Sequence, residues 1–240
     1  MDKIKKVLYK DGRYFYWKKG DLHTNFGMIK EEELKKAKGV IETHKGSKMV
    51  ALEPSYLDQI KKIKRDPQTL LPKDLAILTF YTGIDKTYKI VDAGVGCGLL
   101  SASMARIAKQ VTSYERNDKY QKLAEGNLKF LGIKNAKVKN KDIYEGIDEK
   151  GLDLITLDLP EPWRVLKHAE KALKQSGYMA TYLPTITQVA QVVEEAENHN
   201  FIHIKTIEVL EREWHVEGKK VRPKSQMIGH TAFLTFLRKI

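Results

Sequence analysis

Asp158-Leu159-Pro160-Glu161-Pro162-Trp163 sets one carboxylate, two rigid prolines and an indole where an apolar run ends. These residue types suit gripping a flat ring that carries an amino group: the carboxylate accepts a hydrogen bond, and the prolines fix the backbone that presents it. Upstream, Asp92-Ala93-Gly94-Val95-Gly96-Cys97-Gly98 closes another apolar run. Glycines at a strand's carboxyl end let a ligand approach the backbone, and a helix starting there offers free N–H groups. The dinucleotide fingerprint GxGxxG would need glycine at 99, where Leu99 stands, and a GxxxxGK[ST] phosphate loop is absent from the sequence. Glu115, 23 residues after Asp92, is placed to accept from two ribose hydroxyls, and Asp142 could take an adenine amino group. Singly, each acid reads first as a helix cap or surface charge. Together, at successive strand ends, they point to a nucleoside cofactor.

Such turns need alternating strands and helices to hold them. Strands are expected at Ile90-Val91, Val111–Tyr114 ending at Glu115, Ala136–Val138, Leu152–Leu157 and Gly177–Tyr182, with helices over 99–108, 117–131, 164–174 and 187–198. Residues 203–214 and 230–238 read as strands, with the polar stretch Glu217–Pro223 as a hairpin between them. The fold class is α/β: a Rossmann-like, doubly wound seven-stranded sheet with a C-terminal antiparallel hairpin, preceded by a small N-terminal β domain. Tyr14, Tyr16, Trp17, Val40, Ile41, Met49 and Val50 are strand-type residues between frequent glycines, and Ser55–Arg65 reads as a helix with Tyr56, Ile60 and Ile63 on one face. Pro67 and Pro72 bracket a linker-like turn. The expected domains are 1–66, a small basic β domain with a C-terminal helix; a linker at 67–73; and 74–240, which carries both turns.

Residues 1–73 hold 18 of the 43 Lys and Arg but 10 of the 31 Asp and Glu, so most of the net charge of +12 sits in the first third of the chain. That asymmetry favours a polyanionic partner, although a solubilising surface gives the same composition. No apolar run is long enough to span a bilayer, and no secretory signal is read at the basic start, so the expected location is the cytoplasm. The single cysteine, Cys97, excludes an intramolecular disulfide, and with no HExxH among the seven histidines no metal is expected.

The order Asp92 to Gly98, Glu115, Asp142 and a strand ending at Asp158 resembles class I S-adenosylmethionine-dependent methyltransferases. Further segments narrow the resemblance to the tRNA (adenine-N1)-methyltransferase family of archaeal and bacterial type. These are 21–27 (DLHTNFG), 43–46 (THKG), 67–74 (PQTLLPKD), the DLPEPW run, Tyr182-Leu183-Pro184-Thr185 with Gln188, and Glu213–Gly229 with His230-Thr231. The resemblance implies S-adenosyl-L-methionine as cofactor and tRNA as partner, and a homotetramer that methylates N1 of adenine 58 in the T-loop, in some archaeal members also adenine 57. It implies cofactor-binding residues Asp92, Gly94, Val95, Gly96, Gly98, Leu99, Glu115, Arg116, Asp142, Ile143 and Asp158. Asp158 is the expected catalytic residue, and Leu71, Pro160, Trp163, Thr185 and Gln188 are the expected substrate-binding set. Trp163 either stacks on the base or packs beneath it. Thr185 either reaches the target or caps a helix, and His215 and His230 read as structural or RNA-touching. Leu71 departs from the family, where a tyrosine often precedes the PKD triplet. A methyltransferase acting on another substrate, or a non-catalytic tRNA-binding subunit, is the alternative. The latter predicts a damaged cofactor loop or a lost acid, and both elements are intact here.

Overall fold

Strand-type residues separated by frequent glycines form short strands in the first part of the chain. They are β1 (Lys6–Lys10), β2 (Arg13–Trp17), β3 (Leu22–Thr24), β4 (Gly27–Ile29), β5 (Gly39–Glu42) and β6 (Lys48–Leu52), with helices α1 (Glu31–Lys36) and α2 (Tyr56–Ile60). In this computed structural model, which describes residues 2–66 and 69–240, the antiparallel order is β2-β1-β6-β5, with β3 and β4 as a separate ribbon. Leu8, Trp17, Ile29, Leu34 and Met49 form the core beneath one face. Contacts divide the chain into two units, Met1–Ile63 and Lys64–Ile240.

Helix α2 is shorter than the expected 55–65. Ser55 and Asp58 form a reciprocal capping box at its start, and the helix stops at Ile60, with Ile63 buried from the following turn. Pro67 and Gln68, in the expected linker, lie outside the described residues. Pro72 belongs to a helix instead of a linker: α3 (Pro72–Thr82) takes it at the first turn and ends on Gly83 in the left-handed conformation. That start and stop were both present in the sequence.

The second unit continues with β7 (Lys89–Ala93), α4 (Leu99–Ala105), β8 (Gln110–Glu115), α5 (Asp118–Leu131), β9 (Ala136–Asn140), β10 (Leu152–Leu157), α6 (Leu166–Ala172), β11 (Leu173–Leu183), α7 (Ile186–Glu197), β12 (Phe201–Glu208), β13 (Trp214–Glu217), β14 (Lys220–Pro223) and β15 (Phe233–Lys239). Seven of these strands form one sheet in the order β12-β15-β11-β10-β7-β8-β9. Neighbours are parallel except β15, which runs antiparallel between β11 and β12. This is the Rossmann-like doubly wound sheet, with its late antiparallel strand. Central strand β10 is buried at every position, as a strand covered on both faces must be. Its one charge, Asp153, accepts from the Lys89 N–H at 2.7 Å and pairs with Lys174.

Several boundaries differ from expectation. The helix expected at 164–174 is a 3₁₀ turn over Pro162–Val165 followed by α6, because Leu173 already pairs with Leu152 in the sheet. The strand expected over 203–214 ends where pairing ends, at Glu208 opposite Phe233. Trp214–Glu217 instead pairs with Lys220–Pro223 as an independent ribbon.

Asn127 of α5 ties the glycine turn to the start of this unit. Its amide donates to the Cys97 carbonyl and the Lys64 carbonyl, both at 2.8 Å, and accepts from the Lys64 N–H at 3.1 Å. Asn127→Leu leaves these groups unpaired in a buried place. It is expected to lower stability by about 1–3 kcal/mol per group left unsatisfied, seen as a lower urea midpoint at unchanged m-value.

Candidate active site

Strands β7 and β10 are adjacent, so their ends bring the two chemically informative turns together. The ladder runs one bond beyond the sheet, with the Asp158 N–H donating to the Ala93 carbonyl at 2.9 Å. Gly94 follows at φ 83°, and a Cβ placed on it would lie 2.0 Å from the Asp158 carbonyl oxygen. Only glycine fits there, on both grounds. Gly98, at φ 78°, caps α4 and packs against Ala124. Val95, Cys97 and Leu99 are buried and shape the turn from within, and Gly96 is partly exposed.

Asp92 is fully buried and serves this turn from below. Its oxygens accept from Ser101 at 2.5 Å and from Thr156 at 2.7 Å. Burial raises its pKa to about 6; the two hydroxyls oppose that shift, and the charge of Glu115 adds to it. Both carboxylate oxygens are thereby engaged in bracing the turn. Asp158 differs. It is partly buried, and no donor among the described residues reaches its carboxylate, so burial, and then the charge of Asp92, raise its pKa to about 7. Two carboxyls held this way favour a cation beside them.

A cleft of about 70 Å³ opens from the turn, lined in part by Gly94, Glu115, Arg116, Asp142, Ile143 and Pro160. All six were expected from the sequence, as cofactor or substrate contacts. Glu115 accepts from the Asn117 N–H through one oxygen at 2.9 Å, leaving the other for hydroxyls. Asp142 both caps a 3₁₀ turn through the Tyr144 N–H at 3.0 Å and pairs with Arg116 at 3.1 Å, so its helix-cap reading holds alongside its place in the cleft. Tyr114, Lys141, Tyr144 and Leu159 also line it and were missed. Tyr144 accepts from the Glu161 N–H at 3.2 Å and carries the Arg164 guanidinium 4.5 Å from its ring, thereby fixing the DLPEPW turn. Its position two residues beyond Asp142 was the available signal.

Of the substrate set, Pro160, Thr185 and Gln188 come together. Gln188 donates to the Pro160 carbonyl at 2.9 Å, and Thr185 donates to Gln188 at 2.7 Å while capping α7. Trp163 is partly buried and packs against the core, the second of its two expected placements. Leu71 lines a different cavity, of about 540 Å³, with Lys73, His215, Arg222, Met227 and Ile228 among its neighbours.

A buried network joins that cavity wall to the Asp158 side. Asp74, wholly buried, accepts from Lys73 at 2.8 Å, Thr231 at 3.1 Å and Tyr182 at 3.2 Å, and Lys73 also donates to Thr231 at 2.7 Å. Burial raises the pKa of Tyr182 well above the usual tyrosine range, and the charges of Asp74 and Asp158 add to this. His230 is structural, held between Glu208 at 2.5 Å and the Pro184 carbonyl at 2.8 Å, and its pKa is raised chiefly by Glu208.

The family model described as "tRNA methyltransferase complex GCD14 subunit" matches residues 60–222. The chain is 35% identical to a tRNA (adenine(57)-N(1)/adenine(58)-N(1))-methyltransferase of Methanocaldococcus jannaschii, covering 90% of this chain and 86% of that protein. Among solved structures, an S-adenosylmethionine-dependent O-methyltransferase of Thermotoga maritima superposes with a TM-score of 0.89 at 32% identity, covering 100% of this chain and 94% of that one. A tRNA (m1A58) methyltransferase of Aquifex aeolicus follows at 0.85 and 26% identity, covering 100% and 98%.

Gly94→Ala is expected to destabilise by more than the ~1–2 kcal/mol that a left-handed alanine costs, because the turn must also separate from Asp158. Gly126→Ala, on an exposed part of α5 with nothing within 4 Å of the added carbon, is expected to be neutral or stabilising by up to ~1 kcal/mol in the same denaturation assay.

Proposed function

The chain belongs to the tRNA methyltransferase complex GCD14 subunit family, and from that premise we propose that it transfers a methyl group from S-adenosyl-L-methionine to N1 of adenine 58 of tRNA, with adenine 57 as a second target. The observation that carries this reading is Asp158, a carboxyl that no donor among the described residues reaches, at the mouth of a glycine turn too tight for a side chain at Gly94. S-adenosylmethionine, when bound, supplies an electrophilic methyl on a cationic sulfur. The residues fit it: Gly94 provides the cradle, Glu115 has an oxygen for ribose hydroxyls, and Asp92 and Asp158 supply negative charge.

Adenine N1 carries an in-plane lone pair, so Asp158 has no proton to remove. Its carboxylate accepts from the N6 amino group and stabilises the positive charge arriving on the ring, a preorganised electrostatic contribution. Pro160, held by Gln188 through its carbonyl, keeps the turn from relaxing, with Thr185 and Gln188 at the rim. Leu71 offers an aliphatic surface without a hydroxyl to the separate cavity that it lines. The basic N-terminal unit holds the tRNA by its phosphates while the target adenine is extruded into the pocket. We assign the working protein as a homotetramer of the cytoplasm; among the described residues, no helix is long and apolar enough to cross a membrane.

Labelled methyl transfer to tRNA transcripts, followed by nucleoside analysis, tests the activity, and the absence of 1-methyladenosine would refute it. Asp158→Asn is expected to slow transfer by about a hundredfold or more while changing cofactor affinity less than tenfold. The wild-type rate is expected to fall as pH drops and Asp158 takes up a proton, because the neutral acid neither accepts as well nor carries charge. With the cofactor saturating, the midpoint lies below the value of about 7 of the free protein, since a nearby cation favours the carboxylate. A flat profile from pH 5 to 8 would remove Asp158 from this role.

A further inference from the structure

The sheet β2-β1-β6-β5 breaks the usual rule for an antiparallel sheet with one open face. Its outward positions should be polar. Register instead aligns Tyr14, Tyr9, Val50 and Val40 in one row across the four strands, on the face opposite Leu8 and Met49. Tyr14 is 54% exposed and Val40 61%, and Leu52 on the same face is 42% exposed. The Tyr9 and Tyr14 rings lie 5.0 Å apart, which extends the aromatic surface across two strands. A contiguous apolar surface of this kind marks an interaction site.

Cations seated on the tyrosines identify the occupant. Lys61 donates to the Tyr16 hydroxyl at 3.0 Å and lies 5.7 Å from the Tyr14 ring centre, and Lys62 lies 4.8 Å from that of Tyr16. Both lysines are exposed at the end of α2. Pairing this face with a second copy of itself about a two-fold axis would bring lysine clusters together, at a cost in repulsion. A polyanion that also presents flat π-faces satisfies both halves of the surface. We propose that the open face of this sheet is a stacking surface for unpaired RNA bases, with Lys61 and Lys62 meeting the adjoining phosphates.

The inference rests on the reading of this chain as a tRNA-modifying enzyme but goes beyond it, since phosphate contacts alone would not need exposed tyrosines. The full-length protein is titrated with a ten-nucleotide single-stranded oligoribonucleotide, a duplex RNA of equal length and a tRNA transcript, across a salt series. Tyr14→Ala is expected to weaken single-strand and tRNA binding by about fivefold or more at every salt concentration, with an unchanged salt slope and unchanged duplex binding. Tyr14→Phe, which keeps the ring, is expected to stay within about twofold of wild type. The Lys61→Ala/Lys62→Ala double variant is expected to shallow the slope of log affinity against log salt by about 1–2. Unchanged affinity in Tyr14→Ala, or equal loss for duplex and single strand, overturns the proposal. So does a change in sedimentation of the RNA-free protein with RNA affinity intact, which would assign the face to a second copy. Methyl transfer is scored separately: a wild-type protein that stacks single strands but leaves tRNA unmethylated defeats the activity and spares the surface.

Discussion

One hydrogen bond past the end of the central ladder, from the Asp158 N–H to the Ala93 carbonyl, sets the relation on which the rest of the site depends. It holds the DLPEPW turn against the glycine turn so closely that Gly94 can carry no side chain. The backbone of Asp158 is thus placed against the glycine turn by main-chain geometry alone, before any side chain chooses a rotamer. Asp92 reinforces the arrangement from below, linking α4 to β10 through Ser101 and Thr156.

The same economy appears around Asp74. Three sequence segments that look unrelated, the PKD triplet at 72–74, Tyr182 before Leu183-Pro184-Thr185, and Thr231 after His230, meet at one buried carboxylate. Buried charge is costly unless paired and hydrogen-bonded, and here Lys73, Thr231 and Tyr182 supply the partners. The result fixes the first turn of α3, with Leu71 at its N-cap, against the sheet that carries Asp158.

Much of this was legible in the sequence because strand ends and glycine turns leave local signals. Leu152–Leu157 reads as a buried strand from its own residues, and the acids at 92, 115, 142 and 158 fall at strand ends. What is not legible is tertiary in origin. Nothing local tells that Asp92 engages Ser101 and Thr156, or which of its two placements Trp163 takes. Tyr144 was missed because its role, bracing Glu161 and Arg164, spans two loops. Strand 203–214 was drawn too long because apolar periodicity continues through Trp214, whereas the partner strand begins only at Phe233. Pro72 and Gly83 did mark a helix, and reading the proline as a linker overlooked its preference for a helix's first turn.

We propose that the burial of the Asp158 carboxyl is tolerated because a cation comes to lie beside it. Its side-chain carbon, observed by ¹³C NMR through a pH titration, reports this directly in three states: the protein alone, with S-adenosylmethionine, and with S-adenosylhomocysteine, whose sulfur is neutral. The expected midpoint is about 7 for the protein alone, clearly lower with the cationic ligand, and little changed with the neutral one. Equal midpoints with the two ligands would contradict the assignment, because Asp158 would then not sense the charge that the reaction moves.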